Sequence, residues 1–147
     1  EGYKGGDTIT NAELLATECD VLIPAALGGV LTKANAGSVR APIVVEAANA
    51  PVEPDADAIF ESRGVMLLPD ILVNAGGVTA SYFEWVQNRQ QYQWGIDRVR
   101  QELDRILGDA FEQVWQLAKS RQVSLRTAAY MVGVGRVARA TVLGGMT

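Results

Sequence analysis

The feature that most constrains this chain is a threefold alternation of short apolar runs with helical patterns. Residues 20–24, 42–46 and 65–69 are apolar runs of strand length, bounded by Pro, Gly and acidic residues, and the first and third read as buried strands. Thr10 with Glu13 three positions on has the form of a capping box, opening a short helix through Leu14 and Leu15. Thr32 reads as the cap of a second short helix. Pro54, with Asp55 and Asp57 in the first turn, starts a third that Gly64 ends. Strands alternating with helices over such short distances imply a parallel sheet with right-handed crossovers, an α/β fold.

The third run leads into Asn-Ala-Gly-Gly-Val-Thr-Ala-Ser-Tyr-Phe-Glu-Trp, residues 74–85. A helical pattern continues from it to about Tyr92. Asn74 is a good cap residue, and the paired glycines would let the backbone turn sharply and approach a ligand. A helix start exposes N–H groups with partial positive charge, so the junction suits an anion or a polar ligand. Ser81 lies about one turn beyond Gly77, and helical side chains lean toward the N-terminus, so its hydroxyl can point back at the same place. The plainer reading of these residues is a helix start with an incidental serine.

The second half is helical. Ile96, Val99, Leu103, Ile106, Ala110, Val114 and Leu117 recur at spacings of three and four, one apolar stripe on a long helix. Gly95 separates it from the helix before, and residues 122–124 from a last helix beginning near Leu125. Residues 1–95 are therefore expected to form the α/β portion and 96–147 a set of C-terminal helices. Gly133-Val-Gly135-Arg-Val-Ala138 fits a dinucleotide fingerprint, but that motif works only after a strand and ahead of an acidic residue, and neither is present. The two glycines are expected instead to allow close helix packing. Lys119, Arg121, Arg126, Arg136 and Arg139 follow the last acidic residue; spread as they are, they suit solvent or an acidic neighbour better than a phosphate patch.

Composition narrows function. With 147 residues, 48% of them hydrophobic, the chain can bury a core. A net charge of −4 argues against a general nucleic-acid binder. The longest apolar run, 21–31, is broken by Pro24 and two glycines and is too short for a membrane span. No secretory pattern opens the chain, and a single cysteine, Cys19, fits a reducing, cytoplasmic setting. The absence of histidine excludes Ser-His-Asp and Cys-His catalysis and disfavours a zinc site, so no metal-binding residue is assigned.

Ligands of open parallel sheets bind beyond the carboxyl ends of the strands. The loops leaving the three strands bring Ala25, Ala26, Asn49 and Asn74 onto that edge. Two asparagine amides among small residues suit a flat polar ligand lying close to the backbone. The ribose and carboxamide of a dinucleotide are such groups.

The run 74–85 resembles the signature of glutamate dehydrogenases, members of the glutamate, leucine, phenylalanine and valine dehydrogenase family. Asp-Val-Leu-Ile-Pro-Ala-Ala at 20–26, Glu-Ala-Ala-Asn-Ala-Pro at 46–51 and Leu-Arg-Thr-Ala-Ala-Tyr at 125–130 are similar to family segments in the same order. The resemblance implies the distal half of a doubly wound Rossmann-type sheet followed by C-terminal helices. It implies NAD or NADP lined by Ala25, Ala26, Asn49 and Asn74, with Ser81 binding the substrate's side-chain carboxylate. The implied reaction interconverts L-glutamate with 2-oxoglutarate and ammonia, in a homo-oligomer (a hexamer in the family). The family's phosphate loop and its catalytic lysine and aspartate belong to earlier segments, so a fragment inactive by itself is expected. Gly28-Gly29-Val30, Gly133 and Gly135 depart from the family pattern. The competing readings are a leucine, phenylalanine or valine dehydrogenase, and a non-catalytic regulatory homologue.

Overall fold

A computed structural model describes residues 4–145. Three parallel strands, β1 (Val21–Leu22), β2 (Ile43–Val45) and β3 (Met66–Leu68), form a sheet in the order β1-β2-β3. Val21 pairs with Ile43, and Ile43 in turn with Met66, so all three strands end on one edge. The sheet is followed by α3 (Asp70–Val73), α4 (Ala75–Gln90), α5 (Ile96–Arg121) and α6 (Leu125–Leu143), while α1 (Asn11–Leu15) and α2 (Pro54–Ser62) precede β1 and β3. This is the α/β architecture with C-terminal helices that the alternation implied.

Local signals explain most element boundaries. Thr10 and Glu13 form a reciprocal capping box on α1: Thr10 N–H donates to Glu13 Oε2 at 2.7 Å, and Glu13 N–H to Thr10 Oγ1 at 3.2 Å. Helix α2 begins at Pro54, and the chain leaves it through Gly64 at φ +69°, where glycine carries no Cβ penalty. Gly95 caps α5, and Ser124 caps α6 by accepting from Thr127 N–H at 3.2 Å.

Two apolar clusters hold these elements. The first gathers Leu31, Val39, Val44, Val52 and Phe60 around β2 and α2, with Cys19 packed at its border. Full burial of a side chain such as Phe60 contributes about 1.5–3 kcal/mol. The second joins Leu72 of α3 to Val114 and Ala118 of α5 and Ala128 and Ala129 of α6. The sheet's apolar run and the helical hairpin thus meet through α3, directly behind the carboxyl edge.

Several expectations need correction. The first run is not buried as a whole: Val21 and Ile23 are exposed, because β1 has only β2 beside it among the described residues. Thr32 caps no helix. Its N–H donates to Asn35 Oδ1 at 2.8 Å, the Asn35 amide donates to Val30 O, and only a 3-10 turn, Ala36–Ser38, follows. The close packing expected at Gly135 does not occur, since a Cβ there would meet nothing within 4 Å; one at Gly133 would make ordinary contact with Ile71, at 3.9 Å. Both glycines lie inside α6, which removes the strand the fingerprint would have required.

Candidate functional site

The loops leaving β1 and β2 are tied together by backbone hydrogen bonds. Ala47 and Ala48 N–H donate to Pro24 O at 3.1 and 2.9 Å, and Gly29 N–H donates to Ala50 O at 2.9 Å. The two backbones approach so closely at Gly28 that a Cβ there would lie 2.9 Å from Asn49 O. Gly28 is therefore a packing requirement of this loop pair, while Gly29 holds a φ of +65° that favours glycine. The loop after β2 is tied in turn to the helices after β3, where the Asn74 side-chain amide donates to Asn49 Oδ1 at 2.7 Å.

The four residues expected on this edge are thus assembled by contacts running from the β1 loop to α4. Ala25, Ala26 and Asn49 are exposed and Asn74 is half-buried. The Asn74–Asn49 bond uses one group of each side chain. Among the described residues, Asn49 keeps its NH2 group, and Asn74 its carbonyl oxygen, free of protein partners. One donor and one acceptor side by side can satisfy a carboxamide, which itself presents one of each.

The helix start differs from expectation. Asn74 makes no side-chain cap, and Gly76 and Gly77 do not form a turn. Helix α3 runs into α4 with Asn74 between them, so the first helical residue is Asp70, whose Oδ1 accepts Ile71 N–H at 2.8 Å. Space does not demand glycine at either position. A Cβ at Gly76 would sit 3.4 Å from Leu107 on α5, whereas one at Gly77 would meet nothing. Gly77 therefore leaves open room on the outer face of α4.

Ser81 lies on that outer face, with Val78, Tyr82 and Trp85 exposed nearby and Tyr82 stacked on Trp85 at 5.9 Å. Its hydroxyl does lean toward the helix start, but it donates to Gly77 O at 3.0 Å. Ser81 lies six positions beyond Ala75, about 9 Å along the axis, so it flanks the asparagine pair rather than joining it.

Beneath the edge lies a charge cluster that sequence reading did not assign. Arg126 donates to both oxygens of Glu46, at 2.8 and 3.0 Å, and to Asp57 Oδ2 at 2.6 Å. Its Nη1 also lies 3.7 Å from Asp70 Oδ1. Glu46 is fully buried and Arg126 largely so. Burial pushes the guanidinium toward its neutral form, but hydrogen bonds to Glu46 and Asp57 outweigh that, and the pKa rises from its ordinary value. Arg126 is a fixed cation. Removing it would strand a buried carboxylate, a loss of about 3–5 kcal/mol.

The sequence of residues 1–145 matches the model of the Glutamate/Leucine/Phenylalanine/Valine dehydrogenase family. The chain belongs to this family. It is 48% identical over 139 residues to a glutamate dehydrogenase of Thermotoga maritima, covering 95% of this chain and 33% of that protein. It is similar to the hetero-hexameric glutamate dehydrogenase of Thermus thermophilus in its Leu-bound form, with a TM-score of 0.92 and 32% identity over 99% of this chain and 35% of that one. The glutamate dehydrogenase of Peptoniphilus asaccharolyticus gives 0.79 and 39% identity over 85% of this chain and 32% of that one. The chain thus spans about a third of the length of these relatives.

In this chain the candidate site is an open edge rather than a cavity. A groove of about 700 Å³ between α2, β3 and the α5–α6 turn is lined by none of the five expected site residues; Asp57 and Arg126 form part of its wall. Among the described residues, no helix is long and apolar enough to cross a membrane.

Proposed function

We propose that this chain is the distal part of the cofactor-binding domain of a glutamate dehydrogenase that uses NAD or NADP. The observation that carries the reading is the Asn74–Asn49 hydrogen bond at the carboxyl ends of parallel strands, in a chain of this family. The residues present fit the group. Ala25 and Ala26 are small and exposed, Gly77 leaves open space, and the asparagine pair offers a free donor and a free acceptor. These four residues, Ala25, Ala26, Asn49 and Asn74, would hold the nicotinamide end. The cofactor supplies the hydride acceptor for oxidation of the substrate α-carbon, and water then releases 2-oxoglutarate and ammonia.

What this chain contributes is orientation. Asn49 and Asn74 would hold the carboxamide through their free donor and acceptor, and the small residues would leave the ring room beside the backbone. Ser81, on the outer face of α4, is assigned to the distal carboxylate of L-glutamate. The lysine and aspartate that handle protons in the family belong to earlier segments, so the 147 residues alone are expected to be inactive. The reading extends to a homo-oligomeric, cytoplasmic enzyme. Support for assembly comes from the hetero-hexameric Thermus relative.

The test is direct. The complete reading frame containing this chain should reduce NAD or NADP in a glutamate-dependent manner. Asn49→Ala and Asn74→Ala should each weaken NADH or NADPH binding, followed by fluorescence titration. An enzyme that ignores both nucleotides, or asparagine variants that bind them as the parent does, would defeat the assignment.

A further inference from the structure

Arg126 makes no hydrogen bond to Ala25, Ala26, Asn49 or Asn74, yet it is joined to their edge through carboxylates. It sits in the first turn of α6, and the acid it grips, Glu46, is the last residue before the loop 47–51. Glu46 Oε2 also accepts Asp70 N–H at 2.8 Å. Asp70 Oδ2 in turn accepts Ala50 N–H at 2.7 Å, beside Asn49. Ala50 has φ +45°, a left-handed conformation that a residue with a Cβ keeps only when its surroundings hold it there.

We propose that Arg126 is a positioning residue for the cofactor edge, setting the loop 47–51 through Glu46 and Asp70 so that Asn49 meets Asn74. The inference rests on the cofactor reading above. The path Arg126, Glu46, Asp70, Ala50 is continuous, each link a hydrogen bond of 3.0 Å or less, and Asn49 adjoins its end. A simple strut between α6 and β2 would need only the Glu46 contact. Here the guanidinium lies among three carboxylates, and two of them govern opposite ends of one loop: Glu46 precedes it and Asp70 holds Ala50 within it. Without a cation between them, Glu46 and Asp70 repel, and Asp70 gains by turning to water and releasing Ala50. Lysine cannot substitute fully, because one ammonium lacks the planar fork that serves several oxygens at fixed angles.

The experiment uses the complete enzyme and compares Arg126→Met and Arg126→Lys with Arg136→Met, a surface arginine of the same helix that donates to Gln113. Hydrogen exchange of segment 46–51, measured without cofactor, should quicken about tenfold or more in the Arg126 variants while segment 31–41 stays slow. KM for the nicotinamide cofactor should rise about tenfold or more, since a misplacement near 1 Å can cost on the order of a hundredfold. KM for glutamate should stay near that of the parent, and Arg136→Met should match the parent throughout. If Arg126→Met fails to fold, Arg126→Lys carries the test. Unchanged exchange at 46–51, or a uniform quickening along the chain, overturns the proposal. So does quickened exchange with an unchanged cofactor KM. A parent enzyme that binds neither NADH nor NADPH sinks the cofactor reading by itself, and the exchange result then still decides whether Arg126 sets the loop.

Discussion

Replacing Ser81 by alanine should separate substrate recognition from every other role of α4. In the structure the Ser81 hydroxyl already donates its single hydrogen to Gly77 O at 3.0 Å. To donate to the distal carboxylate of glutamate it must leave that carbonyl. A hydrogen bond to a charged group contributes about 1.5–3 kcal/mol and a neutral one about 0.5–1.5 kcal/mol. The exchange therefore nets about 1–2 kcal/mol, and kcat/KM for glutamate should fall roughly fivefold to thirtyfold.

An apolar amino acid of similar length has no carboxylate to lose, so its kcat/KM should hold. The fold should not suffer either. Alanine is the better helix former, and the bond to the carbonyl four residues back slightly destabilises helices, so Tm should stay level or rise. Steady-state kinetics of both substrates in the complete enzyme, with a thermal melt, decide the matter. Equal losses for the two substrates, or a loss confined to cofactor KM, would refute the assignment of Ser81 to the substrate carboxylate.

Other perturbations test the scaffold. Gly28→Ala places a Cβ about 2.9 Å from Asn49 O, a backbone atom with little freedom to move, and should cost about 1–3 kcal/mol in a denaturant melt while weakening NADH binding. Gly135→Ala meets open space on an exposed stretch of α6 and should raise stability by about 0.5–1 kcal/mol in the same melt. The hydrogen bonds from Thr10 hold the Glu13 carboxyl below its ordinary value of 4.5. The capping box therefore contributes fully above that value and is lost as pH falls through the lower folded one, so amide exchange in α1 should quicken there and Glu13→Gln should abolish the dependence.

What was legible in the sequence was local. The capping box at Thr10 and Glu13, the Pro54 start and Gly64 exit of α2, and the Gly95 break before α5 are each decided within a turn of chain. The alternation of apolar runs with helical patterns implied parallel strands, and parallel strands put Asn49 and Asn74 on one edge before any contact was known. Errors arose where a competing partner intervened. Asn74 is an able cap, but α3 leads straight through it into α4, so the helix start moves back to Asp70 and the Asn74 amide meets Asn49 instead, across 25 positions. Thr32 yields to Asn35, whose side chain accepts from Thr32 N–H and leaves a turn in place of a helix.

Arg126 shows the limit of that reading in its sharpest form. Along the chain it is one of several dispersed basic residues, and nothing in periodicity or spacing marks which of them is buried. Its partner Glu46 lies 80 positions away, at the end of a strand where an acid reads as the close of an apolar run. Burial of either residue alone would be prohibitive; together they are tolerated because the fork of one satisfies both oxygens of the other. The pairing therefore belongs to the closed structure, formed only when α6 folds back against the carboxyl end of β2. On the proposed role of Arg126, packing of the helical hairpin and placement of the loop that carries Asn49 are coupled. Changes that loosen the seat of Arg126 on Glu46 should then register at the loop carrying Asn49 before they register in the sheet.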